Sequence, residues 1–259
     1  MLFNYKNSIL HYTTAGNGPA IVLLHGFLEN ISIWNPFIDT LAQKNKVVCV
    51  DLLGHGKSGC LGYIHTMEDM AMAVHAVLTH LNIEKYTVIG HSMGGYVALA
   101  LVEIFPTEVK GLCLVNSTAK EDSKERKHNR DRAILAAKEN HNVFIGLSIP
   151  NLFAPHNKHL FTKEINHLKK EALALPVQGI IAALEGMKSR PNREHILHWK
   201  NFKMLAIVGK QDPIINYKES VKQFRNTQTD LVIFPGGHMS FIENESLFLQ
   251  RILHFVENI

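Results

Sequence analysis

The sequence predicts an α/β fold in which a mostly parallel β-sheet is flanked by helices and carries an inserted helical cap. Short, almost continuous apolar runs alternate along the chain with helical periodicity, as expected when strands are buried on both faces. One of these runs stops at Ser92, where a helical pattern begins. Between residues 119 and 198 the strand signal disappears and only helical patterns continue. These observations favour one α/β core with an insertion.

The composition is that of an ordinary globular protein, with 46% hydrophobic and 19% charged residues. A length of 259 residues suits one large core, whereas two separate domains would each be small. The net charge of +4 is scattered and accompanied by acids, which argues against a nucleic-acid partner. No run reaches the roughly 18 apolar residues of a membrane span, and no signal peptide is recognisable. We therefore expect a cytoplasmic protein without a membrane partner.

The sequence predicts neither a disulfide framework nor a metal or other cofactor. The three cysteines are odd in number, and two of them lie in apolar runs, where free thiols behave as small hydrophobes. The sixteen histidines include no H-E-x-x-H motif. Closely spaced pairs such as His156 and His159 lack acidic or thiol companions at ligand spacing.

The first elements predict a hairpin followed by parallel strands. Residues 2–14 alternate weakly between apolar and polar and precede a Gly-Asn-Gly-Pro turn, which indicates an antiparallel hairpin. Apolar runs over 20–24 and 46–51 are typical of buried strands, and residues 34–41 between them have helical spacing. The order strand, helix, strand indicates a parallel sheet.

The middle of the chain continues this alternation. Residues 67–81 have the apolar spacing of a helix, and an apolar run then leads to Gly90. The spacing predicts a helix over 96–105, ended by Pro106, and a further buried strand over 111–116.

The predicted cap spans residues 119–198 and divides the core into residues 1–118 and 199–259. Its first segment, 120–132, holds six basic and four acidic residues, a balance typical of a solvated helix face. The apolar residues of the cap exceed what a freely solvated insertion requires, so some should face the edge of the sheet at which the strands end and contact a bound substrate or other ligand there. The candidates are Leu147, Leu152, Phe153, Ile180 and Leu184.

The core resumes with two apolar runs that end in titratable side chains. The run over 204–209 leads to Asp212, and the run over 230–234 leads to His238. In a parallel sheet the carboxyl ends of the strands meet at one edge, where ligands bind in open α/β sheets. Asp212, His238 and Ser92 should therefore lie together.

The surroundings of Ser92 predict an exposed hydroxyl at a sharp turn. Gly90 and Gly94 flank it in the G-x-S-x-G spacing, which lets strand and helix approach without clashing Cβ atoms. Such a turn presents the serine Oγ above the sheet and aims the N–H of Met93 at any negative charge that forms beside it. The order Ser, Asp, His along the chain is that expected for a serine hydrolase on this kind of sheet.

At these motifs the chain resembles the α/β-hydrolase superfamily, and within it small capped serine esterases and enol-lactonase-like hydrolases. The resemblance covers nearly the whole chain and rests on His25-Gly26-Phe27, Asp51-Leu52-Leu53-Gly54-His55-Gly56-Lys57-Ser58, Gly90-His91-Ser92-Met93-Gly94-Gly95, Gly209-Lys210-Gln211-Asp212-Pro213 and Gly237-His238-Met239. It implies that Ser92 is the nucleophile, His238 the base and Asp212 its orienting acid. It also implies an oxyanion hole made by the backbone N–H groups of Phe27 and Met93.

The expected function is hydrolysis of a small-molecule carboxylic ester with a small or medium apolar substrate, through an acyl-enzyme on Ser92. An enol-lactone hydrolase or a C–C bond hydrolase would use the same triad. A binding or signalling protein of this fold is the alternative outside enzymes, because fold does not imply function. The sequence predicts no oligomeric state.

Other polar residues in these motifs are assigned supporting roles. We expect His25, His55 and His91 to make hydrogen bonds that hold loops, because none of them follows the last strand. Asp51 could replace Asp212 as the orienting acid only in principle. We predict that Glu243 is a capping or surface group.

Overall fold

The computed structural model describes residues 1–259 and contains one sheet of eight strands. In chain order they are β1 (Leu2–Tyr5), β2 (Ser8–Ala15), β3 (Ala20–Leu24), β4 (Lys46–Val50), β5 (Tyr86–His91), β6 (Val109–Val115), β7 (Lys203–Gly209) and β8 (Asp230–Phe234). Their spatial order is β1-β2-β4-β3-β5-β6-β7-β8. The pairs β1–β2 and β2–β4 are antiparallel and all other neighbours are parallel. The mostly parallel sheet predicted from the apolar runs is confirmed.

Nine α-helices accompany the sheet. They are α1 (Asn35–Leu41), α2 (Met67–His80), α3 (Met93–Ile104), α4 (Lys124–Ser148), α5 (Thr162–Leu173), α6 (Val177–Ser189), α7 (Tyr217–Gln223), α8 (Ser240–Glu243) and α9 (Glu245–Glu257). Helix α3 begins earlier than the spacing predicts, because the turn at Ser92 leads into the helix at the next residue. None of these helices combines the length and the apolar character needed to cross a lipid bilayer.

The centre of the sheet explains why its strands read as continuous apolar runs. Every residue of β3 and of β5 is buried, because helices cover both faces of the parallel strands. Each fully buried aliphatic side chain there contributes about 1.5–3 kcal/mol to folding. Strands β3 and β5 therefore form a rigid platform for the loops at their carboxyl ends.

The register of the parallel strands brings those loops together. Leu24 at the end of β3 pairs with Gly90 in β5, and Val115 at the end of β6 pairs with Ile207 in β7. The last residue of β7 pairs with the last residue of β8. Loops that leave these strands start at nearly the same height on one edge of the sheet.

The chain between β6 and β7 adds helices α4, α5 and α6 to the fold and no strand to the sheet. We call residues 119–198 the helical insertion; its boundaries as a separate cap stay a prediction. It packs closely on the core, since a Cβ on Gly179 would lie 2.3 Å from the carbonyl oxygen of Gly54. The two ends of the insertion lie together, because the backbone N–H of Arg193 donates to the carbonyl of Ala119 at 2.7 Å.

Candidate active site

Ser92 lies in a strained turn between β5 and α3. Its backbone has φ 48° and ψ −112°, a conformation that residues other than glycine rarely adopt. The flanking glycines make the turn possible: a Cβ on Gly90 would lie 2.3 Å from the carbonyl oxygen of Gly94, and a Cβ on Gly94 would lie 2.3 Å from that of Leu24. The G-x-S-x-G spacing thus reflects backbone contact on both sides of the serine.

The three polar residues predicted to meet at the sheet edge form one hydrogen-bonded chain. His238 Nε2 lies 2.8 Å from Ser92 Oγ, and His238 Nδ1 lies 2.8 Å from Asp212 Oδ2. Because a carboxylate only accepts, Nδ1 carries the proton and the lone pair of Nε2 faces the serine hydroxyl. This tautomer can take a proton from Ser92.

Asp212 is held as a charged, oriented acceptor. Its Oδ1 accepts from the backbone N–H groups of Ile214 and Ile215, at 2.8 and 2.9 Å, and Asn116 Nδ2 donates to its Oδ2 at 3.0 Å. Burial alone would raise the pKa of Asp212, but His238 and these donors outweigh it and hold the pKa below its ordinary value. The carboxylate is therefore ionised wherever the histidine works as a base.

Two backbone donors near the serine have no partner inside the protein. The N–H groups of Phe27 and Met93 donate to no carbonyl or side chain. Met93 is the first residue of α3, where the N–H lacks an intrahelical acceptor and the helix dipole favours negative charge. Phe27 lies in the loop after β3 and lines the same cavity as Ser92.

A cavity of about 300 Å³ lies between Ser92, His238 and the helical insertion. Ser92 and His238 are among its sixteen lining residues, and nine of the sixteen belong to the helical insertion. The insertion therefore forms most of the wall that a bound molecule would touch.

A family model of the alpha/beta hydrolase fold matches residues 19–245. The chain belongs to the α/β-hydrolase family. The match spans both the core and the helical insertion, and it confirms the fold class and the family resemblance inferred from the motifs.

Relatives of this α/β hydrolase include esterases and enol-lactonases. A solved structure of a thermophilic esterase from Thermogutta terrifontis is 29% identical, covers 97% of this chain and 94% of that one, and has a TM-score of 0.91. The 3-oxoadipate enol-lactonase 1 of Acinetobacter baylyi is 26% identical over 271 residues, covering 100% of this chain and 97% of the relative. An uncharacterized protein of Mycobacterium tuberculosis is 40% identical over 106 residues, which cover 41% of this chain and only 31% of that relative.

Two of the five apolar residues expected to bind substrate line the cavity, and the other three do not. Leu152 and Leu184 line the cavity of this hydrolase. Leu147 does not, since it lies on the outer side of α4 with 66% of its surface exposed. Phe153 and Ile180 are fully buried in packing between elements, with Phe153 stacked on Phe161. Helical spacing identifies apolar residues but not which of the surfaces around a helix each one faces.

The charged start of the helical insertion corrects a second expectation. The segment 120–132 is not simply a solvated face: Asp122 is buried, and Arg126 and Arg130 line the cavity. These three residues are four apart each time, which places Arg126 and Arg130 of α4 on the same side as Asp122 just before the helix. This spacing is the signal that could have found them.

The buried carboxylate of Glu29, which lines the same cavity, could not be identified from the sequence. Glu29 accepts from the N–H of Gly26 and lies 3.0 Å from His91 Nδ1, while His91 Nε2 lies 3.1 Å from the carbonyl oxygen of His238. Nothing in the sequence distinguishes Glu29 from an exposed loop acid. Its contacts join the loop before Phe27 to the serine turn and to the histidine loop.

Glu243 has a comparable joining role rather than a surface one. Its carboxylate accepts from the N–H of Gly237 at 2.8 Å and from Asn157 Nδ2 at 3.0 Å. It therefore ties the loop that carries His238 to the helical insertion.

Proposed function

We propose that this chain is a serine hydrolase that cleaves a small carboxylic ester through an acyl-enzyme on Ser92. The observation that carries the proposal is the unbroken hydrogen-bonded chain from Ser92 Oγ through His238 to Asp212. A serine hydroxyl is a weak nucleophile at neutral pH, and this arrangement supplies the base that it lacks.

In the first half-reaction, Ser92 Oγ attacks the ester carbonyl while its proton moves to His238 Nε2. The oxyanion that forms is placed to accept from the N–H groups of Phe27 and Met93, and one such donor is worth about 2.7–4 kcal/mol of transition-state stabilisation. Asp212 stabilises the imidazolium. His238 then gives the proton to the alcohol oxygen, the C–O bond breaks, and the acyl group stays on Ser92.

In the second half-reaction, water replaces the alcohol. His238 takes a proton from the water as its oxygen attacks the acyl carbon, and returns that proton to Ser92 Oγ when the acid leaves. The products are one alcohol and one carboxylic acid, and the enzyme regains its starting protonation.

Enol-lactone hydrolysis is a second candidate, favoured by the full-length match to the 3-oxoadipate enol-lactonase of Acinetobacter baylyi. The same steps would open a lactone, with both products on one molecule. Parallel assays with an aryl ester and an enol-lactone decide between the two. A protein that binds ligands without turnover would hydrolyse neither.

A serine-reactive fluorophosphonate is expected to label Ser92 and no other serine, as read by mass spectrometry of the digested protein. Ser117 and Ser240 are buried with their hydroxyls donating to Ser92 O and Asn116 Oδ1, so neither has a base or an approach path. Ser92→Ala is the control and should remain unlabelled and inactive on p-nitrophenyl esters. Label on Ser117 or Ser240 with Ser92 unmodified would contradict the assignment.

We further propose that the helical insertion acts as a cap that selects acyl length. Leu152→Ala enlarges the cavity, so the preferred acyl chain should lengthen, with relative kcat/KM changing about fourfold per carbon at ~0.8 kcal/mol per methylene. Leu147→Ala is the matched control, because that leucine lies outside the cavity. A series of p-nitrophenyl esters measures the preference; an identical profile for both variants would show that the insertion does not select acyl length.

A further inference from the structure

Three arginines surround one buried carboxylate at the start of the helical insertion. The Asp122 side chain is 0% exposed, with Arg126 Nε, Arg130 Nε and an Arg190 terminal nitrogen lying 3.1, 3.0 and 2.9 Å from its oxygens. Burial alone would raise the pKa of Asp122, but Arg130 and Arg190 outweigh it and lower the pKa to about 2. One negative charge therefore faces three positive charges.

Two of the three positive charges, those of Arg126 and Arg130, lie at the cavity that contains Ser92 and His238. Arg190 is buried, with its guanidinium 3.9 Å from the centre of the Tyr96 ring. Arg126 and Arg130 instead line the cavity together with Ser92.

The nearby carboxylates are already engaged with histidines. Glu29 bonds to His91, and Asp212 bonds to His238. Asp212 also attracts Arg126, but neither acid forms an ion pair or a hydrogen bond with Arg126 or Arg130. An anion bound in the cavity would therefore be the group that pairs with these arginines directly.

The cavity arginines also have unused donors. A guanidinium has five N–H groups. Arg130 uses Nε for Asp122, and its terminal nitrogens have no acceptor in the protein. Arg126 uses Nε for Asp122 and one terminal nitrogen for the carbonyl of Ile214, at 3.1 Å. Because Asp122 holds both Nε atoms, the two guanidinium groups are fixed in place before any ligand arrives.

We infer that Arg126 and Arg130 bind a free carboxylate on the substrate, so that the ester cleaved at Ser92 belongs to a short acid with a second, ionised carboxyl group. The inference rests on the proposed function and replaces the apolar substrate expected from the sequence. A guanidinium fork matches a carboxylate with two parallel hydrogen bonds. The cavity volume of about 300 Å³ lies at the small end of the range for small-molecule sites, which favours a short chain.

Two esters that differ only in this group provide the test. Monomethyl glutarate carries a carboxylate where methyl pentanoate carries a terminal methyl group, and a pH-stat follows both hydrolyses. Arg130→Gln should lower the ratio of kcat/KM for the acidic ester to that for the neutral ester by about 10- to 100-fold, which is the usual loss when a charge-assisted hydrogen bond is removed. The change should come mainly from KM for the acidic ester.

Arg132→Gln is the matched control on the same helix, because Arg132 is exposed and outside the cavity. The ratio of kcat/KM for the acidic ester to that for the neutral ester should be the same in Arg132→Gln as in the wild type. A wild-type preference for methyl pentanoate, or an Arg130→Gln variant that slows both esters equally, would show that the arginines only hold the insertion and would overturn the inference.

Calorimetric binding of glutarate separates failure of this inference from failure of the proposed function. If neither ester is hydrolysed, the proposed function fails, but glutarate that binds the wild type and not Arg130→Gln still supports the carboxylate site. Glutarate that fails to bind the wild type, or binds both proteins alike, overturns it. Tighter binding of inorganic phosphate than of glutarate would also overturn the assignment to a carboxylate.

Discussion

Asp212→Asn is expected to lower kcat by about 10⁴-fold while leaving the fold intact, because the substituted amide forces the wrong tautomer on His238. The backbone N–H groups of Ile214 and Ile215 both donate to Oδ1, so the amide oxygen of the variant is held at that position. The amide nitrogen then faces His238 Nδ1. A donor there requires Nδ1 to accept, which moves the ring proton to Nε2, the atom that must take the proton of Ser92.

The hydrogen bond from Asn116 acts against this placement of the amide nitrogen, whereas the two backbone donors at Oδ1 favour it. Asn116 Nδ2 donates to Asp212 Oδ2, so an amide nitrogen at that position would place two donors against each other. The turnover of p-nitrophenyl acetate measures the effect, and thermal unfolding of the same preparation checks the fold. Fluorophosphonate labelling should slow in parallel, because it depends on the same activated hydroxyl.

Asp51→Asn is the comparison variant, since Asp51 is the other acid that follows a buried strand. It is buried and accepts from the backbone N–H groups of Ile31 and Lys57, both at 2.9 Å, so its role is to hold a loop. The variant should lose stability and retain most of its kcat. If Asp51→Asn were the inactive variant and Asp212→Asn the active one, the acid of the triad would have to be reassigned.

The placement of Ser92, Asp212 and His238 at one edge could be predicted because it depends on strand direction alone. Ser92 and Asp212 follow the buried strands β5 and β7, and His238 follows the partly exposed edge strand β8. Parallel strands bring their carboxyl ends together whatever the details of packing. The serine turn could be predicted for a related reason. Its two glycines are required by backbone contacts, and such requirements appear directly in the sequence.

The lining of the cavity could not be predicted in the same way, because it depends on how the helical insertion rotates and settles on the core. Leu147 and Leu152 are both apolar and close in the chain, yet one is exposed and the other lines the cavity. Arg126 and Arg130 resemble surface residues in sequence. Their spacing from Asp122 places all three residues on one side, but only the burial of Asp122, a tertiary property, shows that this side faces inward.

Glu29 and His91 form a buried ion pair at the base of the loops that carry Phe27 and His238. His91 Nδ1 faces the Glu29 carboxylate and His91 Nε2 faces the carbonyl oxygen of His238, so both ring nitrogens meet acceptors. Only the doubly protonated ring donates to both. Burial alone would lower the pKa of His91 and raise the pKa of Glu29, but their mutual attraction outweighs it, so the pKa of His91 is raised and that of Glu29 is lowered.

Glu29→Gln is expected to reduce the free energy of unfolding by about 3–5 kcal/mol, the usual loss when one partner of a buried ion pair is removed. The amide oxygen can still accept from the N–H of Gly26, so the variant removes the charge while keeping that contact. Glu84→Gln, at an exposed position, is the control and should stay within about 0.5 kcal/mol of the wild type. Urea denaturation of the three proteins measures the differences.

The pH dependence of that difference tests the charge state of the pair. The raised pKa of His91 means that its contribution is fully present below its ordinary value of 6.5 and is lost as the pH rises through the folded-state pKa. The lowered pKa of Glu29 means that its contribution is present above its ordinary value of 4.5 and is lost as the pH falls. The stability difference between wild type and Glu29→Gln should therefore be largest between about pH 4.5 and 6.5 and should shrink at alkaline pH. His25 also interacts with Glu29, but burial holds the pKa of His25 below its ordinary value of 6.5, so the change at alkaline pH comes from His91. A difference that is already small at pH 6 and stays constant up to pH 9 would mean that His91 is neutral.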